Sequence, residues 1–201
     1  MGSPESEKGR GENERQHEVG LSPFLIAKYE VTQGEWRRLT ANSRAPFDGD
    51  NFPARGISWI DCQTFCEKTR LNLPTEAQWE YACRAGSDGP YAGDLDEVAW
   101  RKGNTGRMVR PVGQKKPNSF GLFDMQGNAT EWCVDQFDDN FYSRAESAGP
   151  DPLCRSGSED RVNKGGCAFQ DELRCRSAYR GRDGPSDTDS DLGFRAVFNL
   201  R

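Results

Sequence analysis

One device recurs three times along the chain: a hydroxyl residue, an acidic or amide residue three positions on, and an apolar stripe at helical spacing. Thr32 and Glu35 form the first pair, with Val31 ahead of them and Trp36 and Leu39 as the stripe to be buried. Ser58 and Asp61 form the second, with Trp59, Cys62, Phe65 and Cys66 on one face. Thr75 and Gln78 form the third; Trp79, Ala82 and Cys83 face inward and Gly86 supplies a stop. Phe24 to Val31 reads as a strand, and a Pro/Gly/Asp-rich loop runs from Ala45 to Arg55. Residues 1–18 are polar and charged and are expected to form a mobile lead-in. After Gly86 the helical period disappears, and short apolar runs alternate with Gly, Pro, Asn and Asp. Helices followed by an irregular β-rich half make an α+β arrangement.

Composition narrows this picture. A length of 201 residues suits one compact domain, 1–201, and 22 Gly with 11 Pro predict many loops. Five Trp and eleven Phe compensate for a hydrophobic content of only 34%, because each aromatic side chain buries a large area. The net charge of -5 argues against a protein that holds nucleic acid by neutralising phosphates. No stretch reaches the apolar length of a membrane span, and the N-terminus lacks a signal-peptide core, so a soluble chain is expected. Seven cysteines, an odd number without an export signal, predict reduced thiols and point to the cytoplasm. The only His is His17 and no C-x-x-C pair occurs, which disfavours zinc.

An ordered series of motifs is more specific. Lys28 to Thr32, Ser58-Trp59, Leu73 to Ala82, Pro117 to Met125, Gly127 to Trp132, Gly165-Gly166, Arg174 to Ala178 and Gly193-Phe194-Arg195 follow one another along the whole chain. This series resembles the formylglycine-generating enzyme, or sulfatase-modifying factor, domain family. Met1 to Glu5 is similar to the segment after that domain's first strand, so the chain is expected to begin slightly inside the usual boundary. The resemblance implies a C-type-lectin-like fold with short twisted antiparallel strands, two to three helices and long loops. It also implies a structural Ca²⁺ at Asp124, Gly127, Ala129 and Glu131, where two carboxylates and two main-chain carbonyls offer hard oxygen ligands.

The oxidase of that family uses copper held by a C-x-x-x-x-C pair, since soft thiolates suit Cu(I). Counting back from Gly193-Phe194-Arg195 puts Ser177 at the second cysteine's place and Glu172 at the first's. In the other register Cys175 takes the second place and Gln170 the first. Either way the pair is missing, and Thr130 replaces a Trp of the family's pattern. Formylglycine generation and bound copper are therefore not expected. Ser177 has no base to activate it, and Asp171 with Glu172 reads as solvated surface.

Within 165–195 some positions match the family framework and others do not. The second set is Ala168, Phe169, Gln170, Asp171, Glu172, Leu173, Tyr179, Arg182, Asp183, Ser186, Asp187, Thr188, Asp189 and Ser190, together with smaller residues between them. This division resembles the variable proteins of diversity-generating retroelements, whose C-terminal segment changes while a lectin-like scaffold stays fixed. It implies a non-catalytic binding module whose ligand, a protein or other macromolecule, meets those fourteen residues. Arg174, Arg176 and Arg180 are expected to brace loops through internal ion pairs. Two alternatives stand beside it: an oxidase acting on a protein cysteine, and an accessory domain of a larger fused protein.

Overall fold

The computed structural model describes residues 1–40 and 46–200. All three capping boxes form: each N-cap hydroxyl accepts from the amide three residues on, and the side chain there accepts from the cap's own amide. They start α1 (Gln33–Leu39), α2 (Trp59–Thr69) and α3 (Glu76–Arg84). Cys62, Phe65 and Cys66 of α2 and Trp79, Ala82 and Cys83 of α3 are buried as the stripes predict. Leu39 is not: it lies 42% exposed, because a helix of seven residues carries only one turn, that of Trp36, to the core. Two further helices of four residues, α4 (Leu95–Val98) and α5 (Lys102–Thr105), sit in the half expected to hold only strands and loops. They are too short for a 3.6-residue period to show in sequence. The predicted loop from Ala45 to Arg55 begins outside the described residues, and from Pro46 on it is irregular.

Strand β1 (Phe24–Ile26) pairs antiparallel with β6 (Val197–Asn199), joining the two ends of the fold. The predicted strand to Val31 is shorter as regular structure, but its continuation stays zipped to the C-terminus. Ala27 donates to the Ala196 carbonyl and Val31 to that of Phe194, each at 2.9 Å. A second sheet runs in the order β4 (Gly181–Asp183), β3 (Arg161–Lys164), β2 (Thr130–Gln136), β5 (Leu192–Gly193). Its pairs are antiparallel except β2 with β5, which is parallel, a departure from the all-antiparallel expectation. Trp36, Phe65, Trp132 and Phe194 fill one core cluster, and Trp79, Met125, Cys133 and Val162 another. Few elements thus carry a loop-rich α+β fold, and aromatic side chains supply much of its packing.

Buried ion pairs hold the loops. Arg195 donates to both Glu131 oxygens, and the Trp79 indole donates to Glu131 at 2.6 Å. Arg180 grips both oxygens of Glu76, while Lys164 lies 3.3 Å from Glu80 and 3.8 Å from Glu76. Arg176 meets Glu7 and Glu14, each at 2.7 Å. These last two contacts correct the expectation of a mobile lead-in: residues 1–18 are packed onto the body. The Gly2 amide donates to Glu80 at 2.8 Å, and the Gly9 carbonyl accepts from Arg176 at 2.6 Å. Sequence polarity reveals that a segment cannot form a core, but not that a buried guanidinium elsewhere needs its carboxylates.

Replacing one member of such a pair leaves the other charged and dry. Arg195→Met is expected to cost about 3–5 kcal/mol in urea unfolding. Arg182→Met, at an exposed position, is expected to change stability by less than about 0.5 kcal/mol.

Candidate functional site

The sheet carries a cleft of about 480 Å³ at the C-terminal segment. Strands β3 and β4 supply Asn163, Gly181, Arg182 and Asp183, and β2 and β5 supply Thr130 and Leu192. Gln170, Arg174, Tyr179, Asp189 and Asp191 come from the loops, and Asn13 from the N-terminal segment. A Cβ on Gly181 would lie 2.0 Å from Oδ1 of Asn163 and would displace that side chain. With the space open, Asn163 donates to Asp183 at 2.6 Å.

Two cation–aromatic pairs line the walls. The Arg174 guanidinium lies 5.3 Å from the Tyr179 ring and donates to its hydroxyl, and Arg182 lies 4.7 Å from the Phe137 ring. Arg180 is the anchor beneath them. Besides Glu76 it binds the carbonyls of Asn13 and Asp138, and it packs 4.1 Å from the Tyr142 ring. Acidic side chains line the same cleft. Asp191 accepts from the Cys167 thiol at 3.1 Å, and Asp183 is pushed up to about 6 by burial and by neighbouring Asp189, Asp191 and Asp187. The cleft therefore offers guanidiniums set against aromatic rings together with carboxylates, of which Asp139 lies 3.6 Å from Arg182 while Asp183, Asp189 and Asp191 have no cationic partner among the described residues.

Of the fourteen predicted ligand-binding residues, Gln170, Tyr179, Arg182, Asp183 and Asp189 line this cleft. Ser186, Asp187, Thr188 and Ser190 are exposed on the loop beyond β4, where Asp187 accepts from the Gly184 amide. Asp171 caps a short 3₁₀ turn and Glu172 is exposed beside it. Phe169 and Leu173 are half-buried, Leu173 lying against Gly9. Ala168 is fully buried, its amide donating to Asn128 and its carbonyl accepting from Thr105; a contact with a ligand is corrected to a role in packing. Asp191, at the end of the expected binding segment, lines the cleft too, as do Arg174 and Arg180, expected as braces, and Asn13, Thr130, Phe137, Asp139 and Asn163 from outside that segment. Arg174, expected as an internal brace, is exposed; Arg176 and Arg180 are buried.

The place of the oxidase's thiols holds no comparable pair. Ser177 is buried, with its hydroxyl 3.5 Å from the Cys83 sulfur and bonded to the Pro90 carbonyl. All seven cysteines are free and buried. Burial pushes the Cys83 and Cys175 thiols up to about 12, and it raises that of Cys167 as well. The nucleophilic thiolate form is thus suppressed at neutral pH.

The calcium quartet fits only in part. Asp124 is buried and accepts from the Gly113 amide at 2.6 Å, while its Oδ1 has no partner among the described residues. Both Glu131 oxygens are committed to Arg195 and Trp79. The Ala129 amide donates to Glu30 at 2.9 Å, which adds a third buried carboxylate. Burial, with Asp124 and Glu131 nearby, pushes Glu30 well up, and burial pushes Asp124 up to about 6. Among the described residues no three His, Cys, Asp or Glu side chains are grouped to hold a metal. The charge balance suits a cation; the arrangement of Glu131 does not.

This lectin-like scaffold with a cleft on its C-terminal strands defines the class. A family model, the sulfatase-modifying factor enzyme 1-like domain, matches residues 1–200, and the chain belongs to that family. It is 33% identical to a formylglycine-generating enzyme of Streptomyces coelicolor over 83% of this chain and 59% of that one. It is 32% identical to the serine/threonine-protein kinase pkn1 of Chlamydia pneumoniae over 74% of this chain but 24% of that one. The chain thus spans from a quarter to somewhat over half of these two relatives' length. Among solved structures, PvdO from Pseudomonas aeruginosa matches all of this chain and 90% of its own at 29% identity and a TM-score of 0.88. Treponema denticola variable protein 1 matches all of this chain and 94% of its own at 25% identity and a TM-score of 0.86. No helix among the described residues is long and apolar enough to cross a membrane.

Burial pushes the Glu14 carboxyl up, but the hydrogen bonds and charge of Arg176 outweigh it and leave Glu14 below its ordinary 4.5. Its contribution is complete above that value and is lost as pH falls through the lower folded value. The amide-exchange protection factors of residues 1–18 are expected to hold above pH 4.5 and to fall below it ahead of those of the core. Arg176→Ala is expected to remove that protection at every pH.

Proposed function

We propose that this chain is a non-catalytic binding module whose cleft holds a protein partner, on the plan of the retroelement-diversified variable proteins. The observation that carries the reading is the division of labour within one segment. Arg176, Arg180 and Arg195 are buried in ion pairs, whereas Gln170, Tyr179, Arg182, Asp183 and Asp189 are half-buried or exposed and line the open cleft above Arg180. A fixed frame with replaceable side chains is what a receptor surface needs. The similarity to Treponema denticola variable protein 1 over the full chain supports it. Aromatic residues and arginines, the usual anchors of interfaces, stand in the cleft as stacked pairs.

An oxidase acting on a protein cysteine is the second reading, favoured by the identity to formylglycine-generating enzymes. It lacks a soft-ligand pair at Ser177 and Glu172 and would need another source of redox chemistry. A third reading, an accessory domain in a longer protein, is favoured by the match to part of a kinase. Incubation with copper, O₂ and a cysteine-containing sulfatase peptide separates the oxidase from the other two. No change of peptide mass is expected, and the loss that accompanies thiol-to-aldehyde conversion overturns the binding reading.

A partner captured by the wild-type chain tests that reading directly. Arg174→Ala with Tyr179→Ala is expected to weaken binding by about tenfold or more, the scale of one or two interface anchors, with the melting temperature unchanged. Equal binding by this variant and by an exchange of Gln170, Arg182, Asp183 and Asp189 removes the cleft from the account.

Calcium at Asp124 is proposed on the free Oδ1 and the excess of buried carboxylates over Arg195. Without an ion, Asp124's raised value makes its contribution to stability complete below 3.8 and lost as pH rises through about 6. In chelator, Asp124→Asn is therefore expected to gain stability relative to the native chain across that interval. With added calcium the native chain is expected to gain and the variant is not; equal melting curves with and without calcium remove the ion.

A further inference from the structure

We infer that the loop from Trp100 to Lys116 is a second docking surface, separate from the cleft, for an acidic segment of a protein partner. From Val98 to Phe123 the sequence has no Asp or Glu, but it has six cations: Arg101, Lys102, Arg107, Arg110, Lys115 and Lys116. With a whole-chain charge of -5, the rest of the protein carries -11 (-5 minus +6), so the positive charge is concentrated here. Two of the six are neutralised, Arg101 by Asp96 and Lys116 by Glu97, each at 2.7 Å. Lys102, Arg107, Arg110 and Lys115 have no carboxylate partner among the described residues.

These charges are held in place. The Trp100 indole has Lys115 4.1 Å and Arg110 5.6 Å from its ring centre, so two cations share one aromatic surface. The loop beneath them is fixed by the Asn128 side chain, which accepts from the Arg110 amide at 2.9 Å and donates to its carbonyl at 3.2 Å. The Gly113 amide is bonded to Asp124, and the Thr105 hydroxyl to the Ala168 carbonyl. At Gly127 a Cβ would lie 2.1 Å from the Trp100 carbonyl, so the loop sits directly on the main chain there. Like charges placed together on a rigid loop repel one another, and an incoming anionic surface relieves that repulsion without ordering the loop.

The exposed Met108 beside Arg107, 54% accessible, and the Trp100 ring give this surface apolar area, as protein interfaces have. Four unpaired cations and an otherwise acidic protein favour a short acidic peptide over a nucleic-acid backbone, whose affinity scales with the number of phosphates neutralised.

The test uses the full chain, with a fluorescent poly-glutamate peptide and a single-stranded oligothymidylate of similar charge as probes. Anisotropy is expected to show saturable peptide binding that weakens with salt and exceeds oligonucleotide binding. Arg107→Glu with Lys115→Glu is expected to weaken it about tenfold or more at an unchanged melting temperature. Lys8→Glu with Arg155→Glu, which makes the same change in net charge at exposed positions elsewhere, is expected to leave it near the native value. Absent peptide binding at low salt, equal losses in the two double variants, or tighter binding of the oligonucleotide each overturn the proposal.

Discussion

The fold depends on buried charge pairs made by arginines of the C-terminal segment. Arg176 reaches the N-terminal segment at Glu7 and Glu14, Arg180 reaches α3 at Glu76, and Arg195 reaches β2 at Glu131. Each guanidinium presents several donors in a plane, so one side chain can fix two or three stretches of irregular backbone at once. Arg195, for example, also binds the carbonyls of Ala27 and Phe123. Loops of this length cannot satisfy their polar groups by regular pairing, and these cations do it for them. The cost is desolvation, so each pair must be complete to be tolerated.

That constraint separates two roles within a short run of sequence. Side chains at Arg176, Ser177 and Ala178 are inside, Arg180 is buried in its ion pair at the base of the cleft, and those at Arg174, Tyr179 and Arg182 line the cleft above it. On the proposed reading, the cleft is displayed on a frame held by these ion pairs, and the side chains above Arg180 can differ without breaking them. The same arrangement removes the soft ligands of a redox site. Where the oxidase resemblance calls for a thiol, a buried serine hydroxyl is hydrogen-bonded to main chain. The family membership and the proposed loss of its chemistry are compatible because scaffold and site are held by different residues.

Much of the frame was legible in sequence because it rests on local rules. Three capping boxes announce three helices, and an ordered set of motifs announces the fold. Short elements such as α4 and α5 fall below the length at which periodicity carries information. The N-terminal segment misled for a different reason: its glutamates are surface-like until Arg176, some 160 residues away, is placed beside them. The cleft was legible in outline, since five predicted residues line it. Asn13, Phe137 and Asp139 reach it from segments that the linear sequence does not connect to the C-terminus. Arg174 and Arg176 were inseparable in sequence because both are arginines of one short segment; only the fold places Arg174 on the exposed side of the 3₁₀ turn and Arg176 against Glu7 and Glu14.

The most direct test of this division is a folding selection on two libraries. One randomises Gln170, Tyr179, Arg182, Asp183 and Asp189, and the other randomises Arg176, Arg180 and Arg195, with protease resistance as the readout. The account predicts that most members of the first library remain resistant and that nearly every replacement in the second is cleaved. Comparable loss in both libraries would contradict it, because cleft and frame would then be one structural unit.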